Sequence, residues 1–250
     1  MNEFGSTLRM LAGLLAVAMP VTSLAQISNP GFETGDTSGW TVQTNGAAFP
    51  IEVESGQITT SAGTINPSLS DNFYAYTSQS GPGSSFLAQD FTVQSGTNRI
   101  FFDIAINNST SDYFVPDPVS FDFTGPANQQ ARFDILTPGA PLTTVDPSEI
   151  IVTGFQTEPG NPLVQDWTRY DIDVTNELQP YVGQTVTLRF VQVDNQGFFN
   201  LAIDNLSVGG QPPPDVPDDE VQAIPMLQAP ILLLMIFVIG IVGIRQIMKA

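Results

Sequence analysis

The sequence predicts an all-β protein, with an antiparallel β-sandwich carried between two apolar ends. From Gln26 to about Val208, short runs rich in Val, Ile, Phe, Tyr and Thr alternate with clusters of Gly, Pro, Asn, Asp and Ser. No long helical pattern separates these runs, which favours two packed antiparallel sheets. Both ends of the chain are apolar and have the pattern of export and membrane segments rather than of core.

Residues 1–25 have the three parts of a secretory signal peptide. A weakly basic start carries Arg9 beside Glu3, an apolar stretch covers residues 10–19, and small residues follow at Ser23 and Ala25. The apolar stretch is too short to span a bilayer as a lasting helix. We therefore expect export and cleavage after Ala25. The alternative is a buried N-terminal helix.

The clearest predicted strand covers residues 99–107, where apolar side chains alternate between two faces. Residues 170–174 repeat the alternation. Residues 185–193 begin with it and then shift at Val191 and Val193, which predicts a β-bulge or a strong twist. Thr175 is expected to cap a short helical turn that Gly183 ends. The other predicted strands are residues 49–53, 73–77, 86–93, 119–123, 131–136 and 200–208.

The composition excludes several classes of function. The formal net charge is −18, and between residues 26 and 221 the only basic residues are Arg99, Arg132, Arg169 and Arg189. Such a surface repels phosphate, so nucleic acid is not expected as a partner, whereas divalent cations and neutral polymers are compatible with it. Histidine and cysteine are absent, which removes disulfides, the usual zinc ligands and the Ser-His-Asp and Cys-His arrangements.

The composition changes after the predicted β domain, residues 26–209. Residues 210–223 are rich in proline and acidic residues, which predicts an extended linker. In residues 224–250, the stretch from Met226 to Ile244 carries no charge and would form a helix roughly 28 Å long, close to the hydrocarbon thickness of a bilayer. Arg245 and Lys249 follow it, which predicts a transmembrane helix with the β domain outside. The alternative is a buried core helix.

The tail that begins at Ile224, Pro225, Met226 and Leu227 resembles the IPTL-CTERM sorting segments. These combine an Ile-Pro-Thr-Leu motif with a hydrophobic helix and a short basic end, and are associated with Gram-negative bacteria and exosortase-type membrane peptidases. The resemblance implies recognition and cleavage at this motif and release of the protein to the cell surface or the extracellular matrix. In this chain Met226 stands where the motif has Thr. A plain membrane anchor that is never cut is the alternative.

The β domain has an opening motif, NPGFETG at residues 29–35 followed by Trp40. It closes with NLAIDNLSV at residues 200–208, after YVGQTVTLRF at residues 181–190. This order is similar to galactose-binding-like jelly rolls, the fold of many carbohydrate-binding modules. The resemblance implies that the first and last strands lie side by side, and that Glu33 and Asp204, with help from Asp36, hold a structural calcium ion. The alternative is that Glu33 and Asp204 only bind backbone N–H groups at strand ends.

Aromatic side chains are the candidate ligand groups. Sugar sites on β-sandwiches combine exposed aromatic faces with amides or carboxylates. The candidates are Tyr74 and Tyr76, which share one face of a strand, together with Tyr113 and Phe198, each of which begins an adjacent aromatic pair. The alternative is that most of these rings lie in the core with Trp40 and Trp167. Asn195, Gln196 and Asn200 are candidate partners for hydroxyl groups.

Catalysis is not predicted, because no pair of carboxylates is singled out by its spacing and no nucleophile comes with a recognisable base. The sequence therefore predicts an exported, surface-anchored, non-catalytic binding module whose ligand is a glycan. The alternative is a structural matrix or adhesion protein that uses calcium and has no small ligand.

Overall fold

A computed structural model describes residues 27–48, 50–68, 72–78 and 81–209. The predicted signal peptide, linker and tail lie outside these ranges, as do the sorting motif and the predicted transmembrane helix. Within them, no helix is both long enough and apolar enough to cross a membrane. The strands are β1 (Thr41–Gly46), β2 (Ile51–Ser55), β3 (Ile58–Thr59), β4 (Thr64–Ile65), β5 (Phe73–Thr77), β6 (Gly83–Thr92), β7 (Arg99–Asn108), β8 (Gln129–Leu136), β9 (Ile150–Gln156), β10 (Val164–Asp173), β11 (Thr185–Asp194) and β12 (Phe199–Gly209).

The strands form two five-stranded antiparallel sheets and a small ribbon. Sheet A has the order β1-β6-β11-β8-β9, sheet B has the order β10-β7-β12-β5-β2, and β3 pairs with β4. The predicted all-β antiparallel sandwich is confirmed, and its two sheets are consistent with a jelly roll. Among the described residues, helical structure is limited to α1 (Thr175–Leu178) and 3-10 turns at Pro147–Glu149 and Gln179–Tyr181.

The main core lies between the two sheets, because alternate side chains of the central strands point inward. Phe102 of β7 meets Phe133 of β8 and Phe190 of β11, with ring centroids 4.5 and 5.2 Å away. All three rings are buried. Full burial of such a side chain stabilises the fold by about 1.5–3 kcal/mol.

The outer face of sheet A is covered as well, which corrects two predictions. Val191 and Val193 pack with Phe86 and Phe121 in a second apolar cluster outside the main core. The pairing of β11 with β6 and β8 runs without a register shift, so the predicted bulge at Val191 is wrong. Residues 119–123 form no strand. They belong to a loop whose Phe121 covers the sheet.

The observed bulges lie elsewhere. The register shifts between Gln165 and Thr168 of β10 and between Asp204 and Ser207 of β12. Asn205, inside the second shift, has a left-handed φ of 54°, a conformation that asparagine tolerates better than most residues. The N–H of Leu206 at this bulge donates to the Pro30 carbonyl oxygen at 3.1 Å. The opening motif therefore contacts the closing strand through a loop. The expectation that the first and last strands lie side by side is wrong, because β1 is an edge strand of sheet A and β12 lies in sheet B between β7 and β5.

The predicted helical turn is present, but the side chain that accepts hydrogen bonds at its start is that of Asp173 and not that of Thr175. The Asp173 carboxylate accepts hydrogen bonds from the N–H and the hydroxyl of Thr175 at 3.0 and 2.7 Å. A carboxylate at the start of a helix accepts hydrogen bonds from unpaired N–H groups, and the positive end of the helix dipole stabilises its charge. These hydrogen bonds lower the pKa of Asp173. Gly183 follows the turn with a φ of +84°, which favours glycine.

The four arginines of the domain all form ion pairs with aspartates. Asp134 lies between two of them, with Oδ1 2.6 Å from Arg132 Nε and Oδ2 2.7 Å from Arg189 Nη2. Arg189 and Asp134 are both fully buried. Burial lowers the pKa of Arg189, and the Asp134 charge opposes this effect. Arg99 pairs instead with Asp171 at the surface, where both side chains are about 40% exposed.

We expect Asp134→Asn to lower the free energy of unfolding by about 3–5 kcal/mol, because it leaves two buried guanidinium groups without their counter-charge. The matched control is Asp171→Asn, whose exposed pair with Arg99 is screened by solvent, so this variant should lose much less stability. Urea unfolding of both variants measures the difference. Equal losses in the two variants would show that burial of Asp134 is not what makes its pair important.

Candidate functional site

A cleft of about 360 Å³ opens at one side of the sandwich. It is lined by the edge strand of sheet A (β9), the edge strand of sheet B (β10) and the loop that joins them, together with Ile106 of β7 and Tyr113 of the loop that follows β7. Three of its lining residues are aromatic and three carry amides, and none is charged. The aromatic and amide residues are Tyr113, Phe155, Tyr170, Gln156, Asn161 and Gln165. A surface of aromatic and amide residues without charged side chains stands out in a chain with a net charge of −18.

Irregular pairing of the two edge strands brings these side chains to the cleft. The register of β9 against β8 shifts between Phe133 and Asp134, and the neighbouring residues Phe155 and Gln156 both line the cleft. Gly154 lets β9 lie close to the core, since a Cβ there would come 2.9 Å from the Phe133 ring. The Tyr170 ring stacks on Phe102 at 5.5 Å and meets Phe155 edge-on at 4.9 Å.

The polar groups of the cleft are neutral and partly committed to one another. The Tyr113 hydroxyl donates to the Pro162 carbonyl oxygen at 3.0 Å, and Gln165 Nε2 donates to the Tyr170 hydroxyl at 3.3 Å. Burial raises the pKa of Tyr113, so its hydroxyl stays protonated at neutral pH. Asn161 Oδ1 accepts from the Glu158 N–H at 2.8 Å. Within the described residues, Asn161 Nδ2 and Gln165 Oε1 have no protein partner, so each is available to a ligand.

The predicted ligand residues are distributed differently from the expectation. Tyr113 lines the cleft but is 1% exposed and packs on Phe199, so it forms part of the wall and presents no open ring face. Phe198 is 44% exposed and Phe199 is buried, which confirms that the rings of this pair point opposite ways. Phe198 does not line the cleft.

Tyr74 and Tyr76 are also buried, so the prediction of an exposed aromatic face on their strand is wrong. They pack with Ile65 of β4, and the Trp167 ring lies 5.4 Å from the Tyr74 ring. The Tyr74 hydroxyl donates to the Gly56 carbonyl oxygen at 2.9 Å, and the Tyr76 hydroxyl donates to Glu52 at 2.7 Å. The β3–β4 ribbon thus covers the face that the alternation left open.

Sequence reasoning missed Phe155, Gln156, Asn161 and Gln165, and it treated Tyr170 only as a strand residue. The signal for them is a short stretch, residues 155–165, that holds one aromatic residue, three amides and no basic residue. Of the predicted hydroxyl partners, Asn195 is committed to the Phe123 and Pro126 carbonyl oxygens at 3.1 and 2.9 Å. Asn200 is buried.

The predicted calcium ligands have other partners in the structure. Glu33 Oε1 accepts from the N–H groups of Asn72 and Phe73, both at 3.0 Å, and Asp204 accepts from Ser68 and from the Asn205 N–H. Exposed Asp36 accepts from Ser38 and Thr34, and these hydrogen bonds lower its pKa. Across the described ranges, no three acidic residues are grouped so as to hold a metal ion. Glu33 follows the alternative of binding backbone N–H groups, and calcium binding at these side chains stays a prediction.

Comparison with known proteins adds context to this fold. The chain matches no protein-family model and no curated protein. Similar solved structures include TmCBM61 in complex with β-1,4-galactotriose, at 15% identity and a TM-score of 0.45, covering 76% of this chain and 100% of that one. A cyclase from Fischerella sp. TAU in complex with 4-(1H-indol-3-yl)butan-2-one has 19% identity and a TM-score of 0.43, covering 77% and 100%. The K1 cleaved adhesin domain of Lys-gingipain from Porphyromonas gingivalis W83 has 12% identity and a TM-score of 0.39, covering 72% and 96%.

These three neighbours are a carbohydrate complex, a cyclase and an adhesin domain, and likeness at this level carries no argument about function. The class of the protein, an antiparallel β-sandwich, rests on its own strand order. What the domain does has to be argued from its cleft.

The buried tyrosines predict a loss of stability at high pH. Burial, and secondarily the Glu54 charge, raise the pKa of Tyr74 to about 12, above the value of about 10 for an unfolded chain. The contribution of Tyr74 to the free energy of unfolding is therefore fully present below pH of about 10. It is lost as the pH rises toward about 12, because only the tyrosine of the unfolded chain ionises in that window. In Tyr74→Phe we expect a shallower decline of the urea midpoint between pH of about 9 and 11. Identical slopes for the variant and the wild type would contradict this account.

Proposed function

We propose that this protein is an exported, surface-displayed, non-catalytic binding module, and that its ligand is a neutral carbohydrate held in the cleft between β9 and β10. The observation that carries the proposal is the lining of the cleft, where aromatic rings and amides meet without any charged side chain. Neutral sugars need apolar surface for their ring faces and amide or hydroxyl partners for their hydroxyls.

The cleft supplies both kinds of contact. Phe155 and Tyr170 are only partly buried, so their exposed surface is open to the apolar face of a sugar ring. Asn161 Nδ2 is a donor and Gln165 Oε1 is an acceptor, which suits hydroxyl groups that both donate and accept. A volume of about 360 Å³ lies at the small end of ligand pockets, which range over about 300–1,000 Å³. It suits a short saccharide or the end of a glycan chain.

Binding without catalysis is favoured by the same lining. Glycoside hydrolysis uses two carboxyl groups that flank the scissile bond. No acidic side chain lines the cleft, so a ligand seated there has no general acid or nucleophile of that kind beside it.

Display outside the cell is supported by the sequence of the two ends. We propose that residues 1–25 direct export and that residues 224–250 hold the protein in the membrane with the domain outside, or release it to the cell surface or extracellular matrix after cleavage by an exosortase-type peptidase. Cell fractionation with an antibody against the β domain tests this. Full-length protein in the cytosol with its first residues intact would contradict it.

Calcium binding at Glu33, Asp36 and Asp204 stays a separate prediction, tied to the alternative of a structural matrix or adhesion protein. Thermal unfolding in calcium and in chelator checks it. A site filled to 100 times its dissociation constant adds about 2.7 kcal/mol of stability. A rise of the melting midpoint in calcium supports the ion, and superimposed curves remove it.

We expect Phe155→Ala and Gln165→Leu to weaken glycan binding by about tenfold or more each, because one removes an aromatic contact and the other a hydroxyl partner. A glycan array with the full chain identifies the ligand, and calorimetric titration then measures the affinities of the variants.

Phe198→Ala is the matched control, since it removes an exposed ring that does not line the cleft. Its affinity should equal that of the wild type. Loss of binding in Phe198→Ala with normal binding in Phe155→Ala and Gln165→Leu would move the site to the loop that carries Phe198. Circular dichroism of every variant verifies that the fold is retained.

A further inference from the structure

A groove on the outer face of sheet A lies beside the edge strand β9. Its volume is about 910 Å³, and it shares no lining residue with the cleft. Its charged lining residues are Arg132 and two exposed acids, Asp117 and Asp146. The rest of the lining is apolar except for Thr153, and consists of Pro118, Val119, Val145, Pro147, Ile150 and Ile151.

Arg132 is the buried charge of this groove, and part of its hydrogen-bonding capacity is unused. Its side chain is 8% exposed. Nε donates to Asp134 at 2.6 Å, Nη1 donates to Gln156 at 3.1 Å and Nη2 donates to Thr153 at 2.7 Å. Each terminal nitrogen carries two N–H groups. Among the described residues, Nη1 and Nη2 therefore each keep one N–H group without a protein partner.

The ion-pair network behind the groove carries one more positive charge than negative. Asp134 is shared by Arg132 and Arg189, and in the part of the chain that the structure describes neither arginine pairs with a second acidic side chain. Arg189 donates to Asp134 through Nε and Nη2 and to the Leu142 carbonyl oxygen through Nη1. Arg132 is thus the arginine whose terminal nitrogens have only neutral partners. Because a buried charge is costly without a counter-charge, one anion at Arg132 would balance the network.

We propose that this groove binds a small monocarboxylic acid with an apolar body. The carboxylate accepts hydrogen bonds from the free N–H groups of Arg132, and the apolar walls cover the hydrocarbon part of the ligand. The charges of Asp117 and Asp146 repel a second negative charge, so anions with two charges bind more weakly. The acidic surface elsewhere has little effect, because exposed charges more than about 8 Å away are screened at physiological ionic strength.

The groove differs in chemistry from the cleft. None of the described residues that line it is aromatic, so it offers no ring face on which a sugar can stack. The cleft, in contrast, has aromatic and amide residues and no charged side chain. The acid site therefore does not depend on the glycan proposal.

Calorimetric titration of the full chain with 4-methylpentanoate and with benzoate tests the proposal. The matched probes are 4-methylpentanamide and benzamide, which keep the shape and lose the charge, and methylsuccinate, which adds a second carboxylate. We expect saturable binding of the two acids, and affinities for the amides and for methylsuccinate that are weaker by about tenfold or more. No binding of either acid at about 10 mM, or equal affinities for acids and amides, would overturn the proposal. Neither outcome depends on a variant.

Variants locate the site. Val119→Trp should weaken acid binding by about tenfold or more, because it fills the groove from a loop and leaves Arg132 with its partners. Val164→Trp is the matched control, since Val164 is 67% exposed and lines neither the groove nor the cleft, and its affinity for the acids should equal that of the wild type. Normal binding in Val119→Trp would contradict the assignment to this groove.

Asp117→Asn tests the repulsion of a second charge without touching Arg132, whose loss would leave Asp134 with one partner fewer. This variant should bind methylsuccinate more tightly than the wild type does, so that the preference for the monocarboxylate narrows. An unchanged preference would contradict the role assigned to Asp117. Circular dichroism of each variant verifies that the fold is retained.

Discussion

The burial of Asp134 between two arginines is the constraint on which the arrangement of sheet A depends. A desolvated carboxylate is stable only when it is paired and hydrogen bonded, and Asp134 and Arg189 are direct neighbours in the pairing of β8 with β11. Arg132 extends the network to β9 through Thr153, whose hydroxyl lies 2.7 Å from its Nη2. The guanidinium of Arg189 lies 4.9 Å from the centre of the Phe121 ring. The order β11-β8-β9 and the loop that covers it therefore satisfy the same buried charge.

This use of the arginines shapes the surface and the cleft. The pairs of Arg99 with Asp171 and of Arg169 with Asp103 commit the other two cations to sheet B, so the surface is left predominantly acidic and unsuited to anionic polymers. Arg132 Nη1 also donates to Gln156 Oε1 at 3.1 Å, and Gln156 lines the cleft. The buried network thus fixes one amide of a site that contains no charge itself. A neutral ligand is what such a site can hold beside an acidic surface.

The alternation of side chains was enough to predict the sandwich, and residues 73–77 match an observed strand from end to end. Alternation reports that a strand has two faces, but it does not report what covers the outer one. Phe121 and Ile65 reach the outer faces from a loop and a ribbon that are distant in sequence. The apolar outward side chain of Val191 was therefore interpreted as a bulge, and Tyr74 was interpreted as part of an exposed aromatic face. The cleft was beyond prediction for a related reason. It requires β9 and β10 to be edge strands of different sheets, and pairing order is not encoded in local periodicity.

What holds the two sheets in register with each other is a separate question from what holds each sheet together. The ion pairs described above each join residues of one sheet, and apolar packing between sheets is non-directional. Directional contacts across the core are made by Thr77 with Gln192, and by Gln129 of β8, which donates to Asn108 of β7 at 3.1 Å. The cleft lies where an edge of sheet A meets an edge of sheet B, so its width follows the relative position of the sheets. The hydrogen bonds of Thr77 with Gln192 and of Gln129 with Asn108 hold that position from within the core, and with it the spacing of the groups that face a ligand.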